Sequence, residues 1–204
     1  EYIKISIKLV TLIGSAIAFG LIGVSNILVP VYFGYEYTPC IMLINLLSIT
    51  VFFISWANVV RTQYLMPLHH DKIYIESMII GAVANFIINS MLIPRFSGVG
   101  AAVGTIVAEF TVMIVQMIGI RKEFPIFLFC WKSIPYLVIG FIMQIIVRKY
   151  GIFFGVSITT LIGQVVIGGI VYCTLCGCYF KLFKDELGII IISEINKKIK
   201  RKNV

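Results

Sequence analysis

The chain alternates between long apolar runs and short clusters of polar residues. Charge-free stretches cover Leu9–Tyr35, Tyr37–Val60, Ser77–Pro94 and Tyr150–Phe180. A helix needs about 20 apolar residues to cross a hydrocarbon core about 30 Å thick, so the pattern predicts membrane-spanning helices. Six segments can be drawn: about Leu9–Tyr32, Cys40–Val60, Tyr74–Ile93, Gly98–Ile120, Ile134–Val147 and Ile152–Phe180. Each ends on turn or charge signals, such as Gly34-Tyr35-Glu36, Pro94-Arg95 and Arg121-Lys122-Glu123. The fifth is the shortest. Its charge-free part runs only from Ser133 to Val147, so it either spans by snorkelling of Lys132 and Arg148 or lies tilted and re-entrant. The expected fold is an all-α, polytopic bundle of about six transmembrane helices over residues 1–180, followed by a basic tail over 181–204.

Composition agrees with this pattern. Of 204 residues, 60% are hydrophobic and 13% are charged, against about 25% charged in soluble domains. The mean hydropathy of +1.03 excludes a soluble domain, a disulfide scaffold and a disordered chain. The net charge of +8 therefore has to be read by location. With the N-terminus inside, 14 of the 17 basic residues fall on the inner side. Arg95, Arg148 and Lys149 fall outside. The excess of Lys and Arg on one side places both ends of the chain in the cytoplasm. The tail, with Lys197-Lys198-Ile199-Lys200-Arg201-Lys202, reads as a segment lying on anionic lipid. It lacks the interleaved aromatics of a nucleic-acid patch, so no nucleic acid is expected as a partner. The chain opens on Glu1 and enters a span without a signal-peptide pattern. The expectation is that it follows a missing N-terminal part.

Polar residues inside spans mark helix contacts or a wet pathway. Asn45, Ser48, Ser55, Asn58 and Thr62 share one face of the second segment. Ser77, Gly81, Asn85 and Asn89 share one face of the third. Thr105, Glu109 and Gln116 do so in the fourth. Together they suggest a shared polar seam or cavity. Each Ser, Thr or Asn also has a plain reading as a bond between helices, at about 0.6 kcal/mol. Glu109 is the acid deepest in a span. Insertion of a charged side chain at the bilayer centre costs roughly 2.5–3.5 kcal/mol, which favours its neutral form. It is a candidate proton or cation coupling site, or else a neutral acid bonded to a neighbouring helix. Gly100, Gly104 and Ala108 form a small-residue ladder for close helix packing.

Other chemistry is weak. Cys173, Cys176 and Cys178 lack a second CxxC pair, and His69-His70 are adjacent rather than one turn apart. Neither predicts a metal site. No P-loop, nucleophile elbow or HExxH is present, so neither an enzyme nor a cofactor is expected.

The stretch Gln63–Glu109 is the most distinctive part of the chain. It reads Gln63-Tyr64-Leu65-Met66-Pro67-Leu68, then Asn85-Phe86-Ile87-Ile88-Asn89, then Leu92-Ile93-Pro94, then Gly98-Val99-Gly100-Ala101-Ala102, ending on Ala108-Glu109. Phe33-Gly34 adds to the pattern. This text resembles the C-terminal half of bacterial polysaccharide flippases, which move O-antigen and capsule repeat units. They belong to the multidrug/oligosaccharidyl-lipid/polysaccharide exporter superfamily. The resemblance implies one six-helix lobe of a two-lobe, alternating-access transporter in the bacterial plasma membrane. The implied substrate is an undecaprenyl-pyrophosphate-linked oligosaccharide, with H+ or Na+ as coupling ion and the polysaccharide assembly machinery as partner. Gln63, Asn58, Asn85, Asn89, Thr105, Glu109 and Gln116 are then the candidates for the transport pathway. The alternatives are a multidrug or lipid II exporter of the same superfamily and a membrane scaffold that moves nothing.

Overall fold

The computed structural model describes residues 2–190 and Ser193. The basic run Lys197–Lys202 lies outside the described residues. The helices are α1 (Tyr2–Tyr32), α2 (Cys40–Ser48), α3 (Thr50–Val60), α4 (Asp71–Ile120), α5 (Ile126–Lys132), α6 (Ile134–Phe154) and α7 (Ile158–Phe183). Among the described residues there is no strand. Five continuous helical stretches are long and apolar enough to cross a membrane, which makes this an all-α, multi-pass membrane bundle.

The longest stretch, α4, makes two crossings. At 1.5 Å per residue a straight helix of that length would reach roughly 75 Å, more than twice the hydrocarbon core. The chain instead breaks at Ser97 (φ 48°, ψ −123°), three residues after Pro94. The facing partners show that it folds back. Gln116 donates to Ser77 at 3.0 Å. A Cβ at Gly81 would meet Val112, one at Gly100 would meet Leu92, one at Gly104 would meet Asn89 and one at Gly119 would meet Ile73. Every one of these pairs is centred at or just after residue 96. Residues 71–96 and 98–120 therefore form an antiparallel hairpin of two spans, the third and fourth of the six expected from the sequence.

The fifth segment is longer than its charge-free core. α6 runs 21 residues, through Arg148 and Lys149 to Phe154, or about 31 Å. A re-entrant segment is not what forms. Gly155 (φ 76°) ends it, and Ser157 caps α7 by accepting from the Thr159 N–H. The fifth boundary and the start of the sixth span thus both lie several residues later than the charge pattern suggested. The cause is that Arg148 and Lys149 are exposed on the helix surface and do not end it. The last span also continues past Phe180 to Phe183.

α1 is the central strut. It packs against α2, α3, α6 and α7. On one side, Ile7 joins Val60, Leu65, Met117, Ile120 and Ile126 in a buried cluster. On the other, Val24 joins Ile139, Met143, Val147, Tyr172 and Cys176. With lipid as solvent, such contacts hold helices together by close packing and by interhelical hydrogen bonds.

The ends of α1 and α7 are joined by charge. Lys184 adopts a left-handed conformation (φ 46°) that turns the chain back under the bundle. Lys8 Nζ then meets Asp185 Oδ1 at 2.5 Å, with side chains only 6% and 8% exposed. The Tyr136 hydroxyl donates to Asp185 Oδ2 at 2.8 Å, and the Leu187 N–H donates to the same oxygen at 3.0 Å. One turn earlier on α1, Lys4 pairs with Glu186 at 2.5 Å. Burial works against the charged form of Asp185. The donors from Lys8 and Tyr136 outweigh it and hold the carboxyl below its ordinary value.

Candidate functional site

A polar cleft of about 190 Å³ opens between α3 and the α4 hairpin. Its walls follow from helical periodicity. Ile54, Ala57, Asn58 and Arg61 share one face at the end of α3, and Glu109, Val112 and Gln116 share one face of the returning arm of α4. Met78 closes it from the first arm. At Arg61 the helix widens into a single π-turn over Arg61–Leu65, with the Met66 N–H bonded to the Arg61 carbonyl. Such widened turns recur at functional sites.

The cleft holds opposite charges that do not touch. Arg61 Nη2 donates to Asn58 Oδ1 at 2.5 Å. The guanidinium lies over the Tyr74 ring, 5.6 Å from its centroid, a cation–π placement. Its Nε is buried without a hydrogen-bond partner. Gln116 is fully buried. Its Nε2 is spent on Ser77, while Oε1 has no partner. Glu109 is half-buried in the same cleft, and among the described residues it makes no ion pair. One buried donor and one buried acceptor are thus left with unused capacity beside a carboxylate. Buried polar groups are normally satisfied by protein or water. A cleft of this size and lining can hold water, a small cation at the Glu109 end, or a hydroxylated ligand.

The structure brings together Asn58, Glu109 and Gln116 from the expected pathway residues. It adds Arg61, the first charge after the apolar run Tyr37–Val60. Its spacing three residues after Asn58 was the available signal.

The other residues lie elsewhere. Asn89 Nδ2 donates to Asn85 Oδ1 at 2.9 Å. Both line a separate, shallow hollow of about 390 Å³ with Phe86, Ser90, Ile93 and Pro94, near the Ser97 turn. Thr105 donates to the Ala101 carbonyl of its own helix at 3.1 Å. Gln63 donates to Ser6 at 2.8 Å, tying the π-turn to α1. Gly100, Gly104 and Ala108 face the first arm of α4, against Leu92, Asn89 and Gly81.

The single seam expected from the polar stripes divides into local pairs. Ser25 bonds Asn45 across α1 and α2, Trp56 bonds Thr11 across α3 and α1, and Ser15 meets Tyr172 across α1 and α7. α1 takes part in each of these three pairs, whereas Ser77 and Gln116 of the third and fourth stripes bond each other within the α4 hairpin.

Comparison with family models, with curated proteins and with solved structures found no match to this chain.

Proposed function

We propose that this chain is one lobe of a bacterial polysaccharide flippase. It helps carry an undecaprenyl-pyrophosphate-linked oligosaccharide across the plasma membrane by alternating access. Both of its ends lie on the cytoplasmic side, and a second lobe completes the pathway. The reading rests on the resemblance over Gln63–Glu109. The structural observation that carries it furthest is the cleft in which Glu109 faces Arg61, Asn58 and Gln116. Sugar hydroxyls both donate and accept, and they suit a lining that mixes amides, a guanidinium and a carboxylate. An exporter of amphipathic cations is the weaker reading, because Arg61 puts a fixed positive charge where such a substrate would bind. Proton or Na+ binding at Glu109 biases the equilibrium between the two access states only if the ion binds one state better than the other.

The test is export of surface polysaccharide by cells in which the gene is deleted and then restored. Loss on deletion and recovery on restoration support the flippase reading. Sensitivity to dyes with normal polysaccharide would favour the multidrug exporter. Glu109→Gln is expected to slow export by roughly tenfold or more, the scale of a coupling free energy of 1–3 kcal/mol. It also removes the dependence on the ion gradient. Unchanged export and unchanged ion dependence would refute the coupling role.

A further inference from the structure

A cavity of about 410 Å³ parts α1 from α7 over the surface of α6. Gly20 and Val24 of α1 and Gly168 and Gly169 of α7 form its walls, with Met143 and Val147 of α6 between them. A Cβ built at Gly20 meets only Met143 within 4 Å outside its own helix. One at Gly168 meets only Val147 and Met143, and one at Gly169 meets nothing. Over this stretch α1 and α7 both rest on α6 and leave a gap between themselves. Ile17, Leu21 and Val165 at its rim are exposed, so the gap is a crevice open sideways.

Toward the N-terminal end of α1 the same two helices are fastened. The Tyr172 hydroxyl donates to the Leu12 carbonyl at 2.6 Å and meets Ser15 Oγ at 2.5 Å. Beyond Phe183 the chain turns back at Lys184, and Asp185 and Glu186 take Lys8 and Lys4. Leu187 is 2% exposed, and a Cβ at Gly188 would lie 2.5 Å from the Phe180 ring, so the returning segment packs closely on the end of α7. Among the described residues, every side-chain hydrogen bond and ion pair that joins α1 to α7 or to this segment falls between Lys4 and Ser15 of α1. The other half of α7 is anchored to α6 instead. Gln164 Nε2 donates to the Val147 carbonyl at 2.9 Å, and Gly163 faces the Tyr150 ring. In a bilayer, apolar contacts between helices gain little over contacts with lipid chains, whereas hydrocarbon offers nothing in place of a hydrogen bond. The polar contacts therefore decide where the seam stays shut.

We propose that residues 184–190 are a latch that holds the N-terminal end of α1 against α7, and that its release lets the side crevice run on through that end of the bundle. α7 then swings about its anchor on α6 at Gln164, a hinge motion of one packed element against another. This goes beyond the flippase reading and does not depend on it.

The test uses the whole protein in lipid nanodiscs, with distances between nitroxide pairs read by double electron–electron resonance. One pair, Leu9→Cys with the native Cys178, straddles the latched part of the seam. The other, Leu21→Cys with Val166→Cys, straddles the crevice. The remaining native cysteines are replaced by serine. The releasing variant combines Lys8→Met, Asp185→Leu and Glu186→Gln. It exchanges the buried ion pair for apolar side chains, a replacement that is often neutral for stability, and its melting temperature checks that the fold is kept. With the latch intact, the 9–178 pair should give one short distance. The variant should add a population longer by about 5 Å, the scale of a large helix displacement, while the 21–166 distance stays the same. An unchanged 9–178 distance in the variant would overturn the proposal. So would a lengthening of both pairs together, which marks general loosening, or a long 9–178 distance that already dominates with the latch intact.

Discussion

Gly100 and Gly104 differ in what stands opposite them. A Cβ at Gly100 would lie 2.5 Å from the backbone carbonyl of Leu92 and 2.8 Å from the Ile93 nitrogen. At Gly104 the obstacle is the side-chain amide of Asn89, which can rotate. Gly100→Ala should therefore destabilise the hairpin by about 1–3 kcal/mol, the usual cost of overpacking, and Gly104→Ala by clearly less. Thermal unfolding of the two variants in the same detergent checks the order. The small-residue ladder was legible in the sequence, but its partner was not, because periodicity defines a face and not what covers it. Arg61 shows the same limit. As the first charge after an apolar run it marks a boundary, and only the packing of α3 on α4 brings it into one cleft with Glu109. Asn58, Glu109 and Gln116 were readable because a polar side chain inside a span has few places to go.

Elements are held by contacts between distant parts of the chain. The Lys8–Asp185 pair links residues 177 apart, and Lys4–Glu186 links residues 182 apart. No local pattern announces such a contact, and in the sequence Lys4 and Lys8 count only toward the basic excess on the inner side. Removing one partner of a buried pair leaves the other uncompensated, at about 3–5 kcal/mol. Asp185→Leu alone should lower the melting temperature strongly, and Lys8→Met added to it should recover much of the loss. The pH dependence has a definite sign. The folded carboxyl titrates below its unfolded value, which is about 3.9. Its contribution is complete above that value and disappears as pH falls through the folded one. The stability gap between the unaltered protein and Asp185→Asn should therefore be constant near neutrality and close in strongly acidic buffer. The helix spans themselves were legible from apolar length. The α6 end was misplaced because Arg148 and Lys149 sit on an exposed helix surface, where charge does not terminate a helix.

At the scale of the molecule, α1 separates two compartments. One side carries the polar cleft with Arg61 and Glu109, and the other carries an apolar crevice walled by α1, α6 and α7. On the proposed flippase reading this lobe needs a facing lobe, as the resemblance implies. An antibody against the tail should accordingly detect a protein of about twice this length in source membranes, given two repeats of similar size. A band at the length of this chain would leave transport to a dimer and raise the scaffold reading. The arrangement of both compartments depends on α4 being two spans. If α4 were a single crossing, Glu109 and Gln116 would leave the cleft, and His70 and Arg121 would lie on opposite sides of the membrane. The most direct test places single cysteines at His69, Ser97 and Lys122 in a background with the five native cysteines replaced by serine, and labels sealed vesicles with an impermeant maleimide. The hairpin predicts that positions 69 and 122 label from one side and position 97 from the other. Labelling of 69 and 122 from opposite sides would contradict the six-span bundle and the cleft built on it.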